Sequence, residues 1–231
     1  MADPASRQPD YRRPLASKAL GIGVATGAYA LSFGAIGVAS GLSIWQTQTL
    51  SLLMFTGASQ FAMVGIIGAG GGLVAAVLTA WLLGARNSLY ALSMAPLHKV
   101  RGLRRLAAAQ LTIDETTAMA LAHPEPRAAS RYAFWSTGVS VFVLWNIGTL
   151  LGAVGAAALG DPAALGLDAA IPAALLALLW PRLVDRSMWA VALVSAALAI
   201  ALTPVLQPGL PVLAAALVAL LASALLGRDR P

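Results

Sequence analysis

The sequence contains a long segment without a single charged side chain. No Asp, Glu, Lys or Arg occurs between Ala19 and Ala85, a run of 67 residues. Two further uncharged runs extend from Tyr132 to Gly160 and from Ser187 to Gly227. A membrane-spanning helix needs roughly 20 apolar residues, so each run can hold at least one span. Because these runs do not alternate polar and apolar residues as transmembrane β-strands do, the sequence predicts an all-α, polytopic transmembrane helical bundle.

The composition excludes most classes of soluble protein. Hydrophobic residues make up 59% of the chain and charged residues 10%, against roughly 45–50% and about 25% in soluble domains. The net charge is +6, but the basic residues lie at the ends of apolar runs, where they indicate orientation in a lipid bilayer rather than nucleic-acid binding. The chain has no cysteine, no Cys/His metal cluster and no Walker-type phosphate loop. We therefore expect no enzyme, no cofactor, no metal and no nucleic-acid partner.

About seven hydrophobic elements follow one another between residues 18 and 227, which we expect to form a single transmembrane transporter domain behind a disordered cytoplasmic tail of residues 1–17. The first span is predicted at Lys18–Ser40, where Gly23 and Gly27 have the spacing that lets neighbouring helices approach closely. A short semi-polar helix is predicted at Leu106–His123. The later elements are predicted at Tyr132–Leu159, Ala169–Leu183, Met188–Leu202 and Pro211–Leu226.

Two predicted spans are interrupted by small or polar residues. Thr47–Gly68 has a break near residues 57–60, and Leu73–Pro96 has one near residues 84–88. Non-helical backbone at membrane depth is tolerated only where it is buried in protein or lines a cavity. We therefore expect broken or re-entrant segments at both places.

The basic residues also predict the topology. Six Lys or Arg residues lie in segment 97–131, and the amino-terminal tail is basic too, so the positive-inside rule places both on the cytoplasmic side. This arrangement requires an even number of crossings between residues 18 and 97, whereas hydropathy indicates three. We resolve the conflict by predicting that the break at residues 57–60 belongs to a re-entrant element. No convincing sequence repeat links the two halves, although inverted repeats are often too weak to find by eye.

Arg86 is the first candidate functional residue, because it is the only charged residue between Ala19 and His98. A charged side chain at membrane depth costs about 2.5–3.5 kcal/mol on insertion scales. Helical spacing places Tyr90 and Ser93 on the face of Arg86, with Asn87 beside Tyr90. The guanidinium could bind a substrate carboxylate bidentately, form a structural ion pair, or extend toward the cytoplasmic surface.

Asp114 and Glu115 are the second candidates. Adjacent carboxylates in an apolar surrounding could share a proton, because like charge and desolvation both favour protonation of one of them. This arrangement would suit proton coupling. Alternatively, the two acids compensate nearby arginines at the membrane interface or pair with Arg86. Helical spacing places Gln110 and Thr117 on the face of Asp114.

The break near residue 57 is the third candidate. Gly57, Ser59 and Gln60 offer backbone amides, a hydroxyl and a carboxamide, and the ends of broken helices in transporters bind ammonium and carboxylate groups. A kink without a ligand would have the same sequence. Asn146 lies in the middle of a later span, where a lone Asn more often forms a hydrogen bond between helices than binds a ligand.

The residues singled out resemble those of the AzlC family in order and spacing. The matching motifs are Gly57-Ala58-Ser59-Gln60-Phe61, Arg86-x-x-x-Tyr90-x-x-Ser93-x-Ala95-Pro96, Asp114-Glu115, Trp145-x-x-Gly148-Thr149-x-x-Gly152-Ala153 and Gly166-Leu167-Asp168. The family often has Asn-Leu-Arg-His where this chain has residues 84–87 as Gly-Ala-Arg-Asn. The arginine is kept and the imidazole is lost, so the resemblance implies no proton relay at Asn87.

This resemblance implies a transporter subunit in the inner membrane of a prokaryote. It would export branched-chain or other apolar amino acids by secondary, proton-coupled transport, together with a small AzlD-type membrane protein that packs against the glycine faces. The candidate substrate site comprises Gly57, Ser59, Gln60, Arg86, Asn87, Tyr90, Ser93 and Asn146, with Asp114 and Glu115 for coupling or charge compensation. A passive channel and a non-transporting scaffold or sensor subunit remain open alternatives.

Overall fold

The computed structural model describes residues 11–159, 183–207 and 209–226, together with the isolated positions 176, 179 and 180. The predicted element Ala169–Leu183, the motif at residues 166–168 and residues 1–10 of the predicted tail lie wholly or almost wholly outside this part of the chain. Every regular element within the described part is a helix. The helices are α1 (Arg12–Ala39), α2 (Ile44–Met54), α3 (Ala58–Gly68), α4 (Leu73–Gly84), α5 (Arg86–His98), α6 (Leu103–Gln110), α7 (Asp114–Leu121), α8 (Arg127–Ala158), α9 (Arg186–Leu202) and α10 (Leu210–Leu226).

The predicted all-α membrane bundle is confirmed. Within the described residues, three helical segments are long and apolar enough to cross a membrane, namely Arg12–Ala39, Leu73–His98 and Arg127–Ala158. Helix α1 begins at Arg12, six residues before the predicted start of the first span. Helices α9 and α10 are shorter apolar helices that pack against each other.

Helices α1 and α8 run parallel and form the scaffold pair of the bundle. Their contacts advance in step along both helices, from Gly23 against Ser140, through Gly27 against Leu144, to Gly34 against Ala153. Because glycine has no Cβ, the two backbones approach closely at these positions. The expectation that a partner protein packs against the glycine face of α1 is therefore wrong for Gly23 and Gly27, since α8 already covers them.

Helices α2 and α3 form a hairpin, hairpin 1 (residues 44–68), whose two ends lie at the same end of the bundle. Thr47 of α2 contacts Gly37, and Gly68 of α3 lies against Ser40. Both contacts are with the last turns of α1. We call this the far end of the bundle, and the end at which α1 begins the near end.

The tip of hairpin 1 lies in the middle of the bundle. Phe55 packs against Phe142 near the centre of α8, with ring centroids 5.0 Å apart. Each arm has 11 residues and therefore rises about 16 Å, half of a hydrocarbon core roughly 30 Å thick. The chain turns with positive φ at Phe55 (20°) and Gly57 (58°), and glycine adopts such a conformation without strain. The predicted break near residues 57–60 is present, and the two arms fold back on each other as a re-entrant element requires.

Helices α4 and α5 together cross the bundle from the far end to the near end. The predicted interruption near residues 84–88 is confined to Ala85, whose φ of −57° and ψ of −28° remain helical. His98, the last residue of α5, packs on Phe134 near the start of α8, with ring centroids 4.1 Å apart. Tyr132, in the second turn of α8, packs edge-on against Tyr11 just before the start of α1. The amino-terminal end and the segment after α5 thus lie at the same end, as the even number of crossings requires.

The single helix predicted at Leu106–His123 is wrong. Helix α6 ends at Gln110, and α7 begins at Asp114 after Ile113, whose backbone is extended (φ −130°, ψ 177°). Gln110 therefore does not share a helical face with Asp114 and Thr117. Thr116, in the first turn of α7, stabilises the break. Its buried hydroxyl accepts a hydrogen bond from the N–H of Ile113 and donates one to the carbonyl of Leu111, in place of the interrupted helical hydrogen bonds.

Helices α6 and α7 form a second hairpin, hairpin 2 (residues 103–121), which enters from the near end. Ser130, in the first turn of α8, donates a hydrogen bond to the carbonyl of Ala120 (2.6 Å), so α7 ends beside the start of α8. At the tip, Leu111 packs against Gly138. Each arm has eight residues and rises about 12 Å, so this hairpin also reaches only into the middle of the bundle.

Candidate central cavity

A cavity of about 260 Å³ lies where the tips of the two hairpins meet. We call it the central cavity. Its volume is just below the range of roughly 300–1,000 Å³ that is typical of small-molecule sites, so it suits a small ligand. It is lined by Ala25, Thr26 and Tyr29 of α1, Phe55, Thr56, Gly57 and Ala58 of hairpin 1, Arg86 and Asn87 of α5, Ile113, Asp114 and Glu115 of hairpin 2, and Val141 and Trp145 of α8.

One wall of the central cavity is aromatic and apolar apart from the indole N–H of Trp145, and its rings pack on one another. Tyr29 and Trp145 have ring centroids 6.0 Å apart, and Tyr29 also packs on Phe61 of α3 at 4.9 Å. Phe33 stacks on Trp145 from behind. Val141 is buried and completes this side. Such a wall favours an apolar group of a ligand, because apolar surface gains free energy by leaving water.

The opposite wall is charged. The Nη1 atom of Arg86 lies 3.0 Å from Oδ2 of Asp114, and the two side chains are 30% and 32% exposed. This ion pair joins the first residue of α5 to the first residue of α7. The structural pairing considered from the sequence is therefore present. Because both side chains are partly exposed and line the central cavity, the pair is also within reach of a ligand.

Four polar atoms around the central cavity are buried without a hydrogen-bond partner in the described part of the chain. They are Oγ1 of Thr56, Nε of Arg86, Oδ1 of Asn87 and Nε1 of Trp145. Leaving a buried donor or acceptor unsatisfied costs about 1–3 kcal/mol, and such groups are rare in native proteins. A ligand that carries both donors and acceptors would satisfy these atoms.

Comparison with protein families identifies the chain. The family described as AzlC protein matches residues 21–159, more than half of the sequence. This chain belongs to the AzlC family. The matched segment contains the scaffold pair from residue 21 onward, both hairpins and every residue that lines the central cavity. Neither the curated proteins nor the solved structures give a match.

Membership of the AzlC family implies a membrane protein concerned with the transport of branched-chain amino acids. The AzlC family is a transporter family and not an enzyme family. The apolar helices described above agree with an integral membrane protein.

The structure brings five of the residues singled out from the sequence together. Gly57, Arg86 and Asn87 all line the central cavity, and so do Asp114 and Glu115. They come from the tip of hairpin 1, from α5 and from α7, and only the folding of both hairpins into the middle of the bundle makes them neighbours.

Three other candidates have structural contacts outside the cavity lining. Gln60 is fully buried and bonds to backbone on both sides of the tip of hairpin 1. Ser59 is fully buried on the side of α3 that faces α4. Asn146 accepts a hydrogen bond from Nε2 of Gln48 (3.2 Å), which is the interhelical role expected of a lone Asn in a span.

The remaining two candidates lie further along α5. Ser93 borders a second cavity of about 220 Å³ near the start of α8, and its hydroxyl bonds to the carbonyl of Leu89 in its own helix. Tyr90 is partly buried and lines neither cavity. Helix α5 therefore lines the central cavity only with its first turn, at Arg86 and Asn87.

The apolar wall is the part of the site that sequence reasoning missed. Tyr29, Phe55, Ile113 and Val141 carry no charge and no motif, and in an apolar span they are indistinguishable from ordinary packing residues. The tetrapeptide Tyr-Ala-Leu-Ser occurs at residues 29–32 and again at 90–93, but only Tyr29 of the two tyrosines lines the central cavity, so the repeat does not mark the wall.

Proposed function

We propose that this AzlC-family chain exports branched-chain or other apolar amino acids and binds them in the central cavity. The observation that carries the proposal is the division of the cavity into an aromatic, apolar wall and a charged wall with unpartnered polar atoms. A free amino acid with an aliphatic side chain has the matching division, because its ammonium and carboxylate groups lie at one end.

The two hairpin tips offer different charges to the two ends of an amino acid. Helix α3 begins with the uncharged residues Ala58 and Ser59, so its amino-terminal partial positive charge favours a carboxylate. Helix α7 begins with Asp114 and Glu115, which favour an ammonium group. In this arrangement Arg86 and the indole N–H of Trp145 bind the substrate carboxylate.

We place the proposed proton coupling at the Arg86–Asp114 pair, where a guanidinium and a carboxylate both line the central cavity. An exporter driven by an inward proton gradient must exchange a proton for its substrate, so the proton and the substrate would compete for this site. We further propose a small AzlD-type partner subunit, an inner membrane location in a prokaryote and a cytoplasmic amino terminus, on the resemblance and on the positive-inside rule.

The same ion pair favours a second candidate function. If Arg86 and Asp114 serve only each other, the chain is a non-transporting scaffold or sensor subunit, and the central cavity is a packing defect. The two proposals differ in whether Arg86 acts on a substrate.

Efflux of labelled leucine and valine from preloaded vesicles tests the exporter proposal. The vesicles contain this chain with and without the small partner, and a pH gradient is imposed in either direction. Efflux that depends on the chain and accelerates with a proton gradient is the expected result. No efflux under any of these conditions would overturn the exporter proposal and leave the scaffold proposal.

A further inference from the structure

The two hairpins enter the bundle from opposite ends, and their tips meet at the central cavity. Hairpin 1 has both ends at the far end, and hairpin 2 has both ends at the near end. Thr56 and Gly57 of the first tip and Ile113 of the second tip line the same cavity. A solute in the cavity is therefore separated from each end of the bundle by one hairpin.

The tips are built in the same way. In hairpin 1, the N–H of Gly57 donates to Oε1 of Gln60 (3.2 Å), and Nε2 of Gln60 donates to the carbonyl of Leu50 in the preceding arm (3.0 Å). Gln60 is the third residue of α3. Its side chain thus ties the start of the second arm to the first arm.

Hairpin 2 has the equivalent contact at the equivalent position. The N–H of Ile113 donates to Oγ1 of Thr116 (3.0 Å), and this hydroxyl donates to the carbonyl of Leu111 before the break (2.7 Å). Thr116 is the third residue of α7, as Gln60 is of α3. Both are fully buried, and both are followed at the same spacing by Ala-Met, at residues 62–63 and 118–119. We call these two side chains the clasp residues.

The helices that precede the hairpins also correspond. The tetrapeptide Tyr-Ala-Leu-Ser lies in the second half of α1 (residues 29–32) and in α5 (residues 90–93). Helix α1 crosses to the far end, whereas α4 and α5 cross to the near end. A spanning helix followed by a re-entrant hairpin thus occurs twice, in opposite orientations. Inverted-topology repeats of this kind underlie alternating access in many transporters.

The contacts of the hairpins differ from those of the scaffold pair. Hairpin 1 meets α8 through hydroxyl and amide groups: Ser51 donates to Thr149 (3.0 Å), and Gln48 donates to an amide oxygen of α8. The scaffold pair meets backbone to backbone at glycines, for example Gly34 against Thr149. Side-chain hydrogen bonds can break singly and re-form, whereas two interlocked backbones cannot separate gradually.

We propose that hairpin 1 and hairpin 2 are the two gates of an inverted repeat, which open the central cavity alternately to the far end and to the near end. The proposal rests on the proposed function in one respect, that a solute passes through this cavity. It does not depend on which solute passes.

A direct contact between the hairpins supplies the coupling between the gates. Nε2 of Gln110, at the end of α6, donates to the carbonyls of Leu52 (2.9 Å) and Leu53 (3.3 Å) at the end of α2. These carbonyls belong to the last turn of α2, which has no further helical partners for them. Movement of one hairpin therefore changes the hydrogen bonding of the other.

A cysteine lock tests the proposal, and because the chain has no natural cysteine, only introduced thiols can react. The lock pair without the reporter gives the labelling of the two lock thiols themselves, which is subtracted. Ser51→Cys with Thr149→Cys ties hairpin 1 to α8, where the two hydroxyl oxygens are 3.0 Å apart. Thr26→Cys places a reporter thiol in the wall of the central cavity. A membrane-impermeant methanethiosulfonate reagent is then applied from each side, and Gly72→Cys, in the exposed turn before α4, identifies the far end.

The expected pattern is specific. Without the lock, the reporter at position 26 reacts from both sides. With the lock oxidised, it reacts only from the near end, and reduction restores reaction from both sides. The matched control is Ser195→Cys with Ala215→Cys, which joins α9 to α10 and should leave reaction from both sides unchanged.

Any other pattern would overturn the two-gate proposal. Reaction from both sides with the lock oxidised would show that hairpin 1 is not a gate, and reaction from one side or neither without the lock would show that the cavity does not alternate. Because labelling requires no substrate, a failure of the amino-acid assignment would appear only in the efflux assay.

Discussion

At the scale of single residues, the exporter and the scaffold proposals differ in the role of Arg86 and Asp114. The sequence marked both because a charge in an apolar stretch stands out without any structural information. Their pairing was one of the alternatives that the sequence left open, and the 3.0 Å contact decides in its favour; helical periodicity could not, since it assumed an unbroken helix through residues 111–113.

Exchanging the two charges separates a substrate role from a structural one. We expect Arg86→Asp and Asp114→Arg each to reduce leucine efflux at least tenfold, and the double exchange to leave efflux low, because the guanidinium would then lie on hairpin 2 instead of α5. Efflux from vesicles and thermal stability in detergent are measured together. Lys99→Ala, an exposed cation outside the cavity, is the control. Restored efflux in the double variant would favour the scaffold proposal.

The indole N–H of Trp145 is the second residue-level test. Trp145→Phe keeps an aromatic ring against Tyr29 but removes a donor that has no protein partner in the described part of the chain. A hydrogen bond to a charged group contributes about 1.5–3 kcal/mol, so the KM for efflux should rise about tenfold or more. Trp135→Phe, which lies beside His98 outside the cavity, should leave the KM unchanged. An unchanged KM in Trp145→Phe would remove the indole from the site.

The apolar wall shows why residue-level prediction was incomplete. Tyr29 and Ile113 lie 84 positions apart in a hydrophobic sequence and become neighbours only through the folding of hairpin 2. Nothing in their identity distinguishes a cavity wall from a packed core, whereas a buried charge is unusual wherever it occurs.

At the scale of elements, the two hairpins differ in how far the sequence revealed them. The positive-inside rule predicted hairpin 1. Basic residues placed both ends of segment 18–97 on the same side of the membrane, so one of its three hydrophobic elements could not cross. Hairpin 2 has arms of eight residues and a semi-polar sequence, which is equally typical of a helix at the membrane interface. Its break depends on Thr116, a residue that gives no turn signal.

Removing a clasp side chain should destabilise its hairpin. Gln60→Ala removes the acceptor of the part-buried Gly57 N–H and the side-chain donor to the carbonyl of Leu50, and an unsatisfied buried group costs about 1–3 kcal/mol. We expect a clearly lower thermal unfolding temperature in detergent. Gln46→Ala is the control, since Gln46 makes the same kind of capping bond at an exposed position. Equal effects of the two substitutions would show that Gln60 has no special role.

The scaffold pair can be tested within a single helix. Gly148→Ala would place a methyl group against the backbone carbonyl of Gly27, whereas Gly155→Ala meets open space. The first change should force α1 and α8 apart and lower the unfolding temperature. The second should be neutral or stabilising, because Ala exceeds Gly in helix propensity by about 1 kcal/mol. Similar melting curves for the two variants would contradict the close packing of the pair.

At the scale of the whole molecule, the described part of the chain combines a rigid pair of parallel helices with two re-entrant hairpins of opposite direction. The membrane class, the even number of crossings and the family could all be predicted from the sequence, because they depend on composition, charge placement and motifs. The proposed inverted repeat could not, since its evidence in the sequence is limited to short fragments such as the repeated Tyr-Ala-Leu-Ser. Repeats of this kind leave only a weak symmetry in sequence and hydropathy.

The central claim is that a branched-chain amino acid occupies the cavity between the hairpin tips. Protection of a single introduced thiol tests it most directly. Thr56→Cys replaces a cavity hydroxyl that has no partner in the described residues, and Ser93→Cys lies outside the central cavity on α5. The rate of thiol labelling is measured against increasing valine and leucine, with glutamate and lysine as charged comparisons. We predict saturable protection of Cys at position 56 by valine and leucine alone, and none at position 93. Labelling of position 56 that does not change at saturating valine would contradict the account.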